Sequence, residues 1–215
     1  AMHYSVKSFK RGKPKCKEGL QDRFALEKDG SPVYAMVSRL VGMKGLDLVQ
    51  NIADSLVNDQ GIELVILGTG ENGYESFFSD LAARHPGRVG VCIGFDGKLA
   101  QQIYAGADVF LMPSKSEPCG LAQMVACRYG TIPIVRETGG LRDSIHDCSM
   151  GEGNGFTFAD YSTHDLYDAC WRAKEAYWKK EDWNNLIEYA MSCDFSWALS
   201  AKSYEGLYSE TVNLW

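Results

Sequence analysis

Residues 33–46 read Val-Tyr-Ala-Met-Val-Ser-Arg-Leu-Val-Gly-Met-Lys-Gly-Leu. The first five are apolar and partly β-branched, which predicts a buried strand over Val33–Val37. Glycines 42 and 45 then interrupt the run. Beyond them Leu46, Val49, Ile52, Ala53 and Leu56 fall on one stripe of a helix. Strand, glycine turn and helix make one βα unit. The unit recurs, because short apolar runs follow at Leu64–Leu67, Val89–Ile93, Val109–Met112, Ile132–Val135 and Phe156–Phe158. Helical patterns separate them, among them Leu121–Tyr129 and Leu141–Asp147. Strand and helix alternating at roughly 20–25 residues predict an α/β fold with a Rossmann-like, doubly wound parallel sheet.

The flanks differ from this core. Residues 1–30 are basic and are expected to be an irregular lead-in, with Lys and Arg crowded from Lys7 to Lys17. Residues 31–160 form the sheet domain. Residues 161–215 form a helical tail, with stripes over His164–Tyr177, Glu181–Ala190 and Ser196–Tyr208. All five Trp (171, 178, 183, 197 and 215) lie in the tail. They serve either as helix-packing core or as a face toward another domain.

Composition narrows the function. The 215 residues are 45% hydrophobic and 23% charged, which excludes disorder and collagen-like repeats. Such a length buries roughly 70% of its unfolded surface, enough for a core without staples. Lys and Arg total 22 against 28 Asp and Glu, a net charge of −6. No nucleic-acid partner is therefore expected, since a whole-chain footprint would be basic. The seven Cys (16, 92, 119, 127, 148, 170, 193) are odd in number and contain no C-x-x-C. They read as buried thiols of a reducing compartment. The four His stand apart from them, so no metal site is expected. No apolar run approaches the ~18 residues of a membrane span. Ala1-Met2-His3-Tyr4 lacks an apolar signal core, and a residue before Met2 suggests an excised piece.

In open α/β sheets ligands bind beyond the carboxyl ends of the strands, so the loops there carry the chemistry. The first, Ser38–Gly45, sets Arg39 and Lys44 at a helix start, where the dipole favours an anion. It is a phosphate site or a solvated basic turn. The second, Gly68-Thr69-Gly70-Glu71-Asn72-Gly73, fits G-x-G-x-x-G, with Asp96 as a candidate ribose acid. That allows a dinucleotide-dependent oxidoreductase, or a glycine turn beside another ligand. The third places Phe95 to stack on a base or to pack. The fourth, Pro113–Leu121, carries Glu117 just before a helix, as a functional carboxylate or a cap. The fifth, Glu137-Thr138-Gly139-Gly140-Leu141, is another glycine-rich helix start. Together these loops suggest a phosphate-bearing ligand. There is no G-x-S-x-G or H-E-x-x-H, and Cys119 reads as a structural thiol rather than a nucleophile.

Read together, the loops resemble the C-terminal, donor-binding domain of bacterial glycogen synthases and plant starch synthases. These are retaining glycosyltransferases of the GT-B architecture. The matching stretches are Val37–Leu48, Tyr104–Ser114, Glu117-Pro-Cys-Gly-Leu121, Arg128-Tyr-Gly-Thr131, Thr138-Gly-Gly-Leu141 and Phe195–Tyr204. The resemblance covers nearly the whole chain from about Tyr4, and it implies transfer of glucose from ADP-glucose to the non-reducing end of an α-1,4-glucan. On the matching positions, Arg39 and Lys44 would grip the diphosphate, and Glu117 would stand beside the glucose. The backbone of Cys119, Gly120 and Leu121 would contact the sugar and distal phosphate, and Thr138 would help hold phosphate. Phe95 falls where a Tyr usually stacks on adenine, and Gly68 and Thr69 would pass close to the nucleoside.

The resemblance implies no cofactor and no metal, no membrane, and a cytoplasmic protein (plastid, if from a plant). It also has departures. Val125 stands where many related transferases carry a second Glu, and the synthase branch commonly lacks that Glu too. Glu137 stands where a basic residue is common. An N-terminal domain with a Lys-x-Gly-Gly-Leu-type loop, a catalytic His and most of the acceptor groove is implied but does not appear. The chain is therefore expected to be inactive alone, its C-terminal helices reaching toward that domain. The alternative is a stand-alone nucleotide- or glucan-binding module.

Overall fold

The structure, a computed structural model, describes residues 2–213. Six strands form one sheet: β1 (Val33–Val37), β2 (Glu63–Gly68), β3 (Val89–Ile93), β4 (Val109–Met112), β5 (Ile132–Arg136) and β6 (Phe156–Phe158). All neighbouring pairs are parallel and the order is β3-β2-β1-β4-β5-β6. β1, β2 and β4 are buried almost throughout, as expected of parallel strands covered on both faces.

Helices α2 (Leu46–Asn58) and α3 (Asn72–Arg84) carry the chain outward from β1 to β3. Helix α4 (Gly97–Gly106) crosses back, and α5 (Ala122–Arg128) and α6 (Gly139–Ser144) continue to β6. Right-handed crossovers running in opposite directions put these two sets on opposite faces. Helices α7 (Thr163–Trp178), α8 (Lys180–Ser192) and α9 (Trp197–Asn213) follow. α7 packs on α2 and β6, and α8 on α5 and α7. α9 is exposed along its described length, with Trp197, Leu199, Leu207 and Tyr208 all open to solvent. Of the other tail tryptophans, Trp183 is buried and Trp171 and Trp178 are exposed. Trp215 lies outside the described residues.

The expected irregular lead-in is in fact a helix, α1 (Phe9–Phe24), packed against α4 and β3. Gly12, Pro14, Gly19 and the crowded cations mask its periodicity. The stripe is there: Phe9, Gly12, Lys13, Cys16 and Leu20 are buried. Gly12 is required because a Cβ there would lie 2.5 Å from that of Tyr4. Lys13 is buried because its Nζ donates to Thr131 Oγ1 at 2.7 Å. The Lys17 ammonium meets Asp108 Oδ2 at 2.6 Å and donates to the Ser31 carbonyl.

The cysteines are free among the described residues. Cys16, Cys127 and Cys170 are buried as expected, but Cys119 is exposed.

Candidate functional site

The strand order reverses between β1 and β4, so the loops leaving these two strands diverge and leave a crevice. Ser38–Gly45 forms one wall and Pro113–Leu121 the other. Backbone contact locks them together. The Lys115 N–H donates to the Met43 carbonyl at 2.9 Å, and Gly45 has φ 74°. A Cβ on Gly45 would fall 1.9 Å from the Pro113 carbonyl oxygen, so only glycine permits this approach.

That approach brings two predicted residues into contact. Lys44 Nζ donates to Glu117 Oε2 at 2.5 Å, with both side chains mostly buried. Arg39 is exposed at the mouth of the crevice, and its guanidinium has no hydrogen-bond or ion-pair partner among the described residues. A cavity of about 230 Å³ lies between, lined by Arg39, Lys44, Met112, Ser114 and Ala122.

A second cavity of similar volume adjoins it and shares Val37, Ser38 and Arg39. Gly68, Thr69, Phe95 and Ala100 line its far side. Phe95 is 95% exposed at the tip of the loop after β3, which excludes packing in the core. Gly68 and Gly70 are explained by the neighbouring loop. Their Cβ atoms would lie 2.0 Å from the Ser38 carbonyl oxygen and 2.3 Å from that of Leu40. The Leu40 N–H also donates to the Thr69 carbonyl. Thr69 Oγ1 donates to Glu75 at 2.7 Å. Asp96 is the N-cap of α4, its Oδ1 accepting from the Lys98 and Leu99 N–H groups. The first two glycines of the G-x-G-x-x-G pattern are thus explained by the packing of two loops, and Asp96, which also lines this cavity, caps α4.

The remaining predicted residues meet at the next loop. The Gly140 N–H donates to the Glu117 carbonyl at 3.0 Å. Cβ atoms on Gly139 and Gly140 would lie 2.2 Å and 2.1 Å from the carbonyl oxygens of Glu117 and Cys119. The T-G-G-L and E-P-C-G-L stretches therefore pack backbone to backbone, which sets half-buried Thr138 at the start of α6 beside the Glu117 loop. Leu121 and Cys119 are exposed on that loop, and Gly120 takes φ 71°. Glu137 accepts from Thr157 Oγ1 at 2.7 Å.

Two residues that shape the site escape the sequence reading. Buried Gln123 donates from Nε2 to the carbonyls of Cys119 and Gly120, at 3.2 and 3.0 Å, holding the loop from beneath. Arg136 donates to the carbonyls of Ser114 and Lys115 and fixes the start of the same loop. The only signal for either was a polar side chain beside an apolar run. Among the described residues no cluster of His, Cys, Asp or Glu is arranged to hold a metal ion, and no helix is long and apolar enough to cross a membrane.

Comparison with known proteins finds relatives along almost the whole chain. The chain is 48% identical over 99% of its length to a glycogen synthase of Anoxybacillus flavithermus, and 49% identical over 97% to one of Geobacillus thermodenitrificans. It spans 44% and 43% of those proteins, less than half of each. The catalytic domain of starch synthase IV from Arabidopsis thaliana, solved bound to ADP and acarbose, superposes with a TM-score of 0.89. That match is 35% identical and covers 98% of this chain and 45% of the other. The family described as glycosyl transferases group 1 matches residues 20–192, and the chain belongs to it.

Proposed function

We propose that this chain is the donor-binding half of a retaining glycogen or starch synthase. It would hold ADP-glucose while glucose passes to the non-reducing end of an α-1,4-glucan. The observation that carries this reading is the pair of adjoining cavities with Arg39 at their junction. One end offers an exposed aromatic ring for a base. The other offers the Lys44 ammonium for a phosphate, with the Glu117 carboxylate held behind it by their ion pair for a sugar. A nucleoside diphosphate sugar has those parts in that order.

Arg39 and Lys44 grip the diphosphate. Phe95 stacks on adenine, and Gly68 and Thr69 pass beside the nucleoside. Glu117 stands by the glucose, the Cys119–Leu121 backbone meets sugar and distal phosphate, and Thr138 assists at the phosphate. Bond cleavage leaves negative charge on the departing diphosphate and positive charge on the glucosyl ring. Fixed cations stabilise the first without reorganising. The Glu117 carboxylate offsets the second and orients hydroxyls, so it acts by charge and position rather than as a nucleophile. With two cations present, the diphosphate needs no metal. A further domain supplies the acceptor groove, and the longer relatives support that division. The compartment is the cytoplasm, or the plastid in a plant.

Calorimetry with ADP, ADP-glucose, UDP-glucose and NAD tests this. ADP and ADP-glucose should bind, with UDP-glucose weaker and NAD silent. Binding of NAD without ADP would overturn the reading.

A further inference from the structure

A third cavity, of about 710 Å³, has no lining residue in common with the donor-side pair. It lies between α7, α8 and residues 148–153. Its one strand residue, Phe156, opens β6, so it sits toward the end of the sheet opposite the donor loops. Its volume falls within the ~300–1,000 Å³ of small-molecule sites.

The lining follows helical spacing without being a packing stripe. Trp171 and Glu175 are one turn apart on α7. Asp182, Asn185 and Tyr189 recur along one side of α8. Trp171 is 43% exposed and Tyr189 45%, so two large rings face solvent at the cavity. Lys174 Nζ covers one face of Trp171, 4.3 Å from its centroid, while the ring still lines the cavity. The polar groups are mixed, with Ser149, Asn185 and Tyr189 among charged side chains of both signs. Glu152, Glu175 and Asp182 stand against Lys179 and Arg172, and Glu175 also meets Lys174 at 3.6 Å. Arg172 is already spent on Asp147 and Asp168, at 2.8 Å each, and on the Thr157 carbonyl. An anionic ligand is disfavoured there.

Aromatic faces with carboxylates and an amide suit an uncharged polyol. A hexose ring turns weakly positive C–H groups toward a negative π-face. Its rim hydroxyls donate to carboxylates and exchange hydrogen bonds with an amide. Resting on the reading that this chain acts on a glucan, we propose that this cavity is a second carbohydrate site, holding a stretch of α-glucan away from the donor crevice. A weak site is sufficient for that role. Anchoring one branch of a polymer raises the effective concentration of its other chain ends at the transfer site.

The test is native electrophoresis through gels containing glycogen, with maltoheptaose calorimetry, on the chain and on Trp171→Ala and Tyr189→Ala. ADP calorimetry on the same samples reports folding and the donor site. Glycogen should retard the wild type, and each variant should lose about tenfold or more in maltoheptaose affinity, the scale of a truncated aromatic anchor. ADP affinity should be unchanged in both, and cellohexaose should not bind. Absent retardation, or retardation equal in wild type and variants, overturns the proposal. So does self-association of the wild type that either substitution abolishes, because the rings then serve a second copy of the chain. A wild type that binds glycogen but not ADP sinks the donor reading and leaves this site standing.

Discussion

Lys44 Nζ lies 2.5 Å from Glu117 Oε2, across 73 positions of sequence. The cation assigned to the diphosphate and the carboxylate assigned to the glucose are thus one ion pair. Any diphosphate that enters the crevice shares the Lys44 ammonium with Glu117. Glu117→Gln keeps the shape and removes the competing charge. ADP affinity of this variant should stay within a few-fold of wild type or rise. In the longer enzyme kcat should fall far more than KM rises, the signature of an interaction made in the transition state. Normal turnover would reduce Glu117 to a helix-start carboxylate.

The pair also predicts non-additivity. Lys44→Ala removes a phosphate partner and leaves a mostly buried carboxylate unpaired and facing the ligand. It should therefore weaken ADP more than Arg39→Ala, whose guanidinium has no protein partner among the described residues. Hydrogen bonds to charged groups are worth about 1.5–3 kcal/mol, so Arg39→Ala should cost roughly 10- to 150-fold, less at high salt. Adding Glu117→Gln to Lys44→Ala should recover part of the loss. Strict additivity in this cycle would dissolve the proposed sharing.

Phe95 offers an exposed ring at the base end of the crevice. Base–aromatic stacking in single-strand binders is worth about 1–3 kcal/mol. Phe95→Ala should weaken ADP by that scale and leave pyrophosphate binding unchanged, and Phe95→Tyr should be tolerated. Equal ADP affinity in wild type and Phe95→Ala would remove the ring from the site.

On the proposed reading Arg39 and Lys44 supply the counter-charge to the diphosphate, so ADP should bind without a divalent ion. Chelation with EDTA should leave ADP affinity within experimental error, and added Mg²⁺ should not raise it. A requirement for Mg²⁺ would assign the counter-charge to a metal instead.

Much of this architecture was legible because parallel strands buried on both faces must be nearly all apolar. The runs at Val33–Val37, Val89–Ile93, Val109–Met112 and Phe156–Phe158 coincide with strands at both ends. Helix α1 was not legible, since Gly12 and Pro14 lower helix propensity and their tolerance depends on Tyr4 and α4. The candidate residues could be named from loops after strands. Their contacts could not, because the Lys44–Glu117 pair depends on Gly45 fitting against the Pro113 carbonyl. Arg136 acts on the carbonyls of Ser114 and Lys115, 22 and 21 positions away, and Gln123 turns back onto those of Cys119 and Gly120 just before its own helix; neither bond follows from residue type alone.

Two buried titratable groups, Glu63 at the start of β2 and Lys13 on α1, predict an unusual stability profile. Glu63 is fully buried, with Oε2 accepting from Gln21 Nε2 at 2.8 Å and Oε1 without a partner. Burial pushes its carboxyl from 4.5 up to about 7. The folded state therefore holds a proton that the unfolded chain releases. Its contribution is fully present below pH 4.5 and is lost as pH rises through 7. Lys13 works in the opposite direction. Burial lowers its ammonium from 10.5 to about 7, so the unfolded chain binds the extra proton between those values. Stability from this group rises as pH climbs from 7 to 10.5. The two windows meet near pH 7, where the summed contribution has its minimum. Thermal unfolding from pH 4.5 to 10 should show Glu63→Gln gaining on wild type as pH rises to 7, with its advantage constant above. Lys13→Met should gain as pH falls from 10 to 7, provided that its lost bond to Thr131 is a constant offset across the scan. A Glu63→Gln advantage that does not change with pH would mean that Glu63 stays ionised in the folded state.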